Sequence, residues 1–190
     1  MNKSIKISGK ILSRYGEIIS NEALQFVREI HDQFNNTRLE LLNERKKRQS
    51  DIDNGHKLDF LNETKKIRDA DWKIKYIPQD LLKRQVEITG PPVPKKMFVS
   101  ALNSGADCYM TDFEDSLTPT FDNLMQGQLN IKDAINKKID FIDKKSGKEY
   151  RLNEKTAVLI IRPRGLHLDE KNVTINDKRI SGTFFDLGLS

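Results

Sequence analysis

One cysteine, Cys108, occurs in 190 residues, so no intrachain disulfide framework can form, and thiol usage fits a reducing compartment. Set in "ADCYM", it reads as a buried strand residue rather than a nucleophile. No apolar run approaches the roughly 20 residues of a membrane span, which excludes a membrane partner for a spanning helix. The first residues, "MNKSIKISGKIL", lack the sustained apolar core and small-residue cleavage site of a secretory leader. A concentrated block of one charge sign is also missing. The formal charge is +5, but the densest basic run, Arg45 to Arg48, is flanked by Glu40, Glu44 and Asp51. That is the pattern of a solvated helix face, and no nucleic-acid partner is expected.

What is present is 36% hydrophobic and 32% charged, the texture of a soluble globular chain with a heavily solvated surface. The first third reads as helical. Ser20 suits the N-cap of a helix whose Leu24, Val27, Ile30 and Phe34 share a stripe. Asn35-Asn36 is expected to interrupt it, and Thr37 with Glu40 forms a capping-box pattern for a second helix running toward Arg48 and stopping near Gly55. From Lys57 to Leu82 the pattern is irregular, with Phe60, Ile67, Trp72 and Ile77 as expected packing anchors.

At Gln85 the texture changes. "QVEITG", Asp107 to Thr111 and "TAVLIIRP" read as strands, separated by helices over Lys96 to Asn103 and Thr120 to Lys138. Near-continuous apolar strands alternating with helices imply βα units and a parallel sheet. "VTINDKRIS" fits a hairpin turning at Asn176-Asp177, after which Ser181 caps a further helix. The fold class is therefore α/β: residues 1–84 form a helical N-terminal domain, and residues 85–190 carry the βα units. The apolar ending, "GTFFDLGLS", is expected to expose Phe184 and Phe185 as if an element were cut.

"YMTDFEDSLTPTFDN" puts three carboxylates, Asp112, Glu114 and Asp115, into four positions at a strand end, and "IIRPRG" ends another strand on Arg162. In parallel βα architectures functional groups gather at the carboxyl ends of strands. If Asp112 to Glu114 stays extended, both acids face one side with Phe113 opposite. Carboxylates and a planar guanidinium at one rim suit a small anionic substrate beside a divalent cation; an Asp–Arg structural ion pair explains the same residues.

At these residues the chain resembles the malate synthase family, in its shorter isoform. The carrying segments are "VEITGP", "ALNSGAD", "TDFEDSLTPTFDNLMQGQLNIKDAI", "YRLNEKTAVLIIRPRG" and "ISGTFFDLGL", with "FNNTRLELLNERKKRQSDIDNG", "DFLNETKKIRDADWKI" and "IPQDLLKRQVEITGP" upstream. The resemblance implies a helical N-terminal domain followed by a TIM barrel, and the Mg²⁺-dependent condensation of acetyl-CoA with glyoxylate to malate and CoA. By motif position it implies that Arg162 binds glyoxylate and stabilises the enolate oxygen. Asp112 and Glu114 would hold waters around Mg²⁺, and Ser116 would line the acetyl-CoA site. Two departures stand out. "PVPKKM" replaces the usual step after "ITGP", and Leu166-His167 follows "RPRG" where the family has Trp-His, which leaves His167 a surface or packing residue.

Gln85 to Ser190 is less than half of the roughly 250 residues of a full barrel, so an incomplete barrel is expected. The resemblance places the direct Mg²⁺ ligands and the catalytic base on later elements. Two functional readings stay open: the N-terminal part of a malate synthase, inactive alone, or an inert truncated relative serving as a remnant or interaction module. Localisation reads as cytoplasmic, with the peroxisome as alternative; "LGLS" is not a peroxisomal C-terminal tripeptide.

Overall fold

The computed structural model describes residues 5–190. It is a mixed helix-and-sheet structure with a helical N-terminal region. Strand β1 (Ile5–Ile7) leads through a short turn to α1 (Asn21–Asp53), a single helix of 33 residues. At 1.5 Å per residue it is about 50 Å long. Ser20 caps it as expected, its hydroxyl accepting from the Ala23 amide at 3.2 Å. The expected break at Asn35-Asn36 does not occur. Asparagine in a helix interior costs only a few tenths of a kcal/mol relative to its neighbours, and here Asn35 Oδ1 accepts from Arg38 Nη1 at 3.1 Å. The Thr37–Glu40 pattern therefore sits mid-helix and caps nothing.

A short helix, α2 (Lys65–Arg68), lies within the irregular segment. The expected anchors there are not buried: Trp72 is 64% exposed and Phe60 75%. The indole N–H is satisfied locally, donating to the Ile67 carbonyl.

Beyond residue 85, β2 (Glu87–Gly90), α3 (Lys95–Leu102), β3 (Cys108–Asp112), α4 (Phe121–Ile135) and, after a small hairpin, β6 (Val158–Arg162) follow in turn. The hairpin is β4 (Asp140–Ile142) with β5 (Glu149–Arg151), held by stacked Phe141 and Tyr150. Strands β2, β3 and β6 form a parallel sheet in that order, with Asp112 directly beside Arg162 in the register. Helix α3 contributes Phe98, Val99 and Leu102 to the core, and α4 contributes Leu124, Met125 and Leu129. Cys108 is fully buried in β3, as the sequence suggested.

The second sheet is antiparallel, in order β1-β7-β8, with β7 (Asp169–Ile175) and β8 (Lys178–Ser181) joined at Asn176 and Asp177, both at positive φ. A two-residue turn of that kind matches the strand twist. Helix α5 (Gly182–Leu189) then packs on α1. Gly188 comes so close that a Cβ there would meet Val27 Cγ2 at 2.7 Å. This contact overturns the expected exposure of the ending: Phe184 and Phe185 are buried. Ser181 stands at the N-cap of α5, but its hydroxyl accepts no capping bond.

Candidate functional site

The parallel register explains why an acidic cluster is tolerated where β3 ends. Asp112 and Arg162 are cross-strand partners at the carboxyl ends of β3 and β6. Arg162 Nη1 lies 2.9 Å from Asp112 Oδ2 and 2.6 Å from Asp115 Oδ2, and Nη2 lies 2.9 Å from Glu114 Oε2. One guanidinium thus neutralises part of the repulsion among three carboxylates. In return the Arg162 pKa is raised, first by the Asp115 hydrogen bond and further by the charges of Asp112, Asp115 and Glu114, against the cost of desolvation.

The chain does not stay extended past Asp112. Asp112 Oδ1 accepts from the amides of Glu114 and Asp115, at 2.9 and 3.2 Å, which folds the backbone into a turn. Phe113 drops into the core while Glu114 swings back over Arg162. Ser116 Oγ donates to Asp112 Oδ2 at 3.3 Å, so the serine braces the carboxylate. Asp112 is 1% exposed with both oxygens occupied, whereas the Arg162 side chain is 36% exposed. The four residues proposed from sequence are therefore brought together, and Asp115 joins them.

Arginine carries five N–H donors. At most three are engaged by the carboxylates, which leaves at least two, including Nε–H, without a partner among the described residues. An adjacent pair of such donors is what a small carboxylate accepts from arginine. The donor set fits a metal less well. No group of three or more His, Cys, Asp or Glu able to hold an ion occurs among the described residues, and the acids here are turned onto Arg162. Direct coordination of Mg²⁺ by Asp112, Glu114 and Asp115 does not fit this arrangement.

The rim is pinned from below. A Cβ at Gly165 would lie 2.6 Å from Glu114 Oε1 and 2.8 Å from the His167 ring, so a side chain there would displace both groups. His167 is exposed, with Nε2 at 3.8 Å from Glu114 Oε1. Arg164 is buried and grips Asp186 of α5 by two side-chain hydrogen bonds of 2.8 and 2.7 Å. Buried Arg38 of α1 donates to the Leu166 carbonyl and to Asp169, each at 2.6 Å, tying the long helix to the loop after β6. Sequence reading missed Arg38 because nothing near it in the chain marks a partner more than 120 residues away. Asp115 was visible in the acidic run; only the fold shows that it makes the shortest bond to Arg162. A cleft of about 860 Å³ lies at the opposite end of β6, around Thr156 to Leu159, away from this chemistry.

A family model of the malate synthase N-terminal domain matches residues 3–66. The chain is 47% identical over 175 residues to a malate synthase of Myxococcus xanthus, covering 92% of this chain and 32% of that protein. It is 48% identical over 179 residues to malate synthase A of Escherichia coli, covering 92% and 33%. The chain is a malate synthase relative, matching the family's N-terminal portion. A glyoxysomal malate synthase of Zea mays is 37% identical over 187 residues, covering 98% of this chain and 34% of the maize protein. The chain thus spans about a third of the length of the malate synthases it matches. No helix among the described residues is long and apolar enough to cross a membrane.

Proposed function

We propose that this chain carries the arginine-bearing rim of a malate synthase site. In that reaction acetyl-CoA loses a methyl proton, the resulting enolate carbon bonds to the aldehyde carbon of glyoxylate, and water then cleaves the malyl thioester to give malate and CoA. Arg162 binds the glyoxylate carboxylate with its unpartnered N–H groups and stabilises the oxyanion that develops on the enolate. Asp112 and Glu114 hold the guanidinium in place, and Ser116 fixes Asp112 beside the acetyl-CoA path. Asp112 and Glu114, turned onto Arg162, would hold a Mg²⁺ ion only through its waters, and the ion would supply Lewis-acid stabilisation of the developing negative charge. The parallel β2-β3-β6 unit with α3 and α4 is read as the opening of a TIM barrel beyond residue 85, with residues 1–84 as a helical domain whose β1 returns to the second sheet. The compartment is the cytoplasm or, following the maize relative's name, the peroxisome.

The observation that carries this reading is an arginine at a strand's carboxyl end, clamped by three carboxylates yet keeping free donors. A second reading has its own support. The near-complete burial of Asp112 fits an ion pair that merely closes the strand ends of an inert relative. To separate them, the chain is fused to the remaining C-terminal part of the Escherichia coli relative and Arg162→Lys is assayed. Lysine keeps the charge for Asp112 but loses the planar fork. The expected loss in kcat is roughly 10²-fold or more, the scale of one oxyanion donor, with the thermal midpoint little changed. Activity near that of the unmodified fusion favours the inert ion pair.

A further inference from the structure

The three carboxylates on Arg162 are not held alike. Asp112 is fixed from every side: Oδ1 accepts the amides of Glu114 and Asp115, and Oδ2 accepts from Ser116 and Arg162. Glu114 Oε2 bonds Nη2, and its other oxygen lies 3.8 Å from His167 Nε2. The Asp115 carboxylate bonds only Arg162 Nη1 among the described residues, through Oδ2 at 2.6 Å. Its side chain is 70% exposed, whereas Asp112 is buried and Glu114 nearly so. An ion pair so open to water contributes little, because solvent screens it and a mobile side chain must be held still. The Asp115 backbone is fixed, since its amide helps to close the turn on Asp112. Asp115 is therefore the one member of the cluster whose side chain can swing away without stranding a buried charge.

We propose that Asp115 is a specificity-determining residue of the rim: it yields Arg162 Nη1 to a small monocarboxylate and rejects a dicarboxylate of the same size. One guanidinium charge already faces three negative ones. Both N–H groups of Nη1 are taken, by Asp112 and Asp115, so an incoming carboxylate first meets Nε–H and the second N–H of Nη2. It becomes the fourth negative group on one cation, and like charges sharing a site repel. Relief costs least if Asp115 leaves Nη1 for solvent, where water screens it. A single carboxylate then replaces the charge that Asp115 withdraws, and the balance around Arg162 is kept. A second carboxylate on the ligand exceeds what Asp115 gives up, and the excess faces the Asp115 side chain at the open lip. The proposal rests on the reading of Arg162 as the carboxylate-binding group.

The test titrates the 190-residue chain, carrying isotope-labelled arginine, with glyoxylate and separately with oxalate. Neutral pH and fixed ionic strength are kept, without added metal. The two probes have the same number of carbons, and oxalate carries a carboxylate in place of the aldehyde. The readout is the Arg162 Nε–H resonance, assigned by its loss in Arg162→Lys. The native chain should bind glyoxylate roughly tenfold tighter than oxalate, since like-charge juxtaposition rejects the wrong ligand. Asp115→Asn should cut that preference to about threefold or less, chiefly by tightening oxalate. Its thermal midpoint should stay unchanged, because the side chain is exposed. Asp115→Glu returns the charge and should restore the preference, which a role confined to folding would not do. A preference unaltered in Asp115→Asn overturns the proposal and leaves the reading of Arg162 standing. So does a native chain that binds both probes alike, or a lowered midpoint in Asp115→Asn, which would make the contact structural. An Arg162 resonance unmoved by either probe in every form overturns the reading of the site and this proposal with it.

Discussion

Arg164 and Arg162 are two residues apart and face opposite problems. Arg164 is almost wholly buried between Asp186, which it grips through the side chain and the backbone amide, and Glu170, whose Oε2 lies 2.8 Å from Nη1. That second contact is an ion pair without hydrogen-bond alignment, since Glu170 Oε2 has no hydrogen-bond partner. Burial pushes the Asp186 carboxyl up against the opposing pull of Arg164. Removing the cation therefore strands two buried acids. Arg164→Met should cost about 3–5 kcal/mol, the usual penalty for breaking a buried pair, read as a lower urea midpoint. The double variant Arg164→Met with Asp186→Leu should regain much of that loss, because an apolar replacement of a whole pair is often neutral. A single variant as stable as the native chain would show that the pair is not structural. Arg162, by contrast, is half-buried with donors to spare, so its replacement by lysine is expected to reach chemistry before stability.

At the scale of elements, the N-terminal turn is held to α4 by charge. Arg14 bonds Glu17 and Asp133, and Lys132 reaches Glu17. Arg14 first, then Lys132, lowers the Glu17 carboxyl from 4.5 to about 2, and the Arg14 hydrogen bond lowers Asp133. Both are depressed acids, so their stabilisation is complete above the ordinary carboxyl range and is lost as pH falls toward about 2. The difference in thermal midpoint between the native chain and Asp133→Asn should thus be constant near neutrality and shrink as pH falls below 3.8, the ordinary value of the Asp133 carboxyl. A difference that does not change with acidification would refute the assignment.

The same scale shows what was legible. β3 and β6 could be read because strands buried on both faces spell continuous apolar runs, and the β7–β8 turn because Asn-Asp tolerates positive φ. The hairpin β4–β5 could not, since "DFI" and "EYR" alternate polar and apolar residues too briefly to signal a strand. Strand β1 escaped for the same reason, being three residues long. The false break in α1 came from treating local propensity as decisive where Arg38 and the packing of α5 decide instead. Of the site, the strand-end acids and Arg162 were visible because such ends collect function. The turn at Asp112 was not, because it depends on one carboxylate oxygen accepting two amides.

For the whole molecule, the expectation is that the rim alone does not turn over substrate. A general base contributes about 10²–10⁴-fold, and a Lewis-acid ion several kcal/mol more; among the described residues no cluster holds such an ion. The 190-residue chain incubated with acetyl-CoA, glyoxylate and Mg²⁺ should release CoA thiol no faster than the control without glyoxylate. Turnover that disappears in Arg162→Ala would overturn this expectation.

Strand β1 has a temporal consequence. Ile5 pairs with Ile175 and Ile7 with Val173, so the first strand finds its partner only after about 170 further residues have been made. At roughly 5–20 residues per second, translation leaves it waiting on the order of 10–30 s. During that interval the ribosome holds a chain whose long helix and parallel strands can already form, while three apolar-edged residues at its start stay unpaired. Closing the β1–β7 ladder is then a return of early residues to ones made about 170 positions later, and it is in that interval that a chaperone has its opportunity to bind.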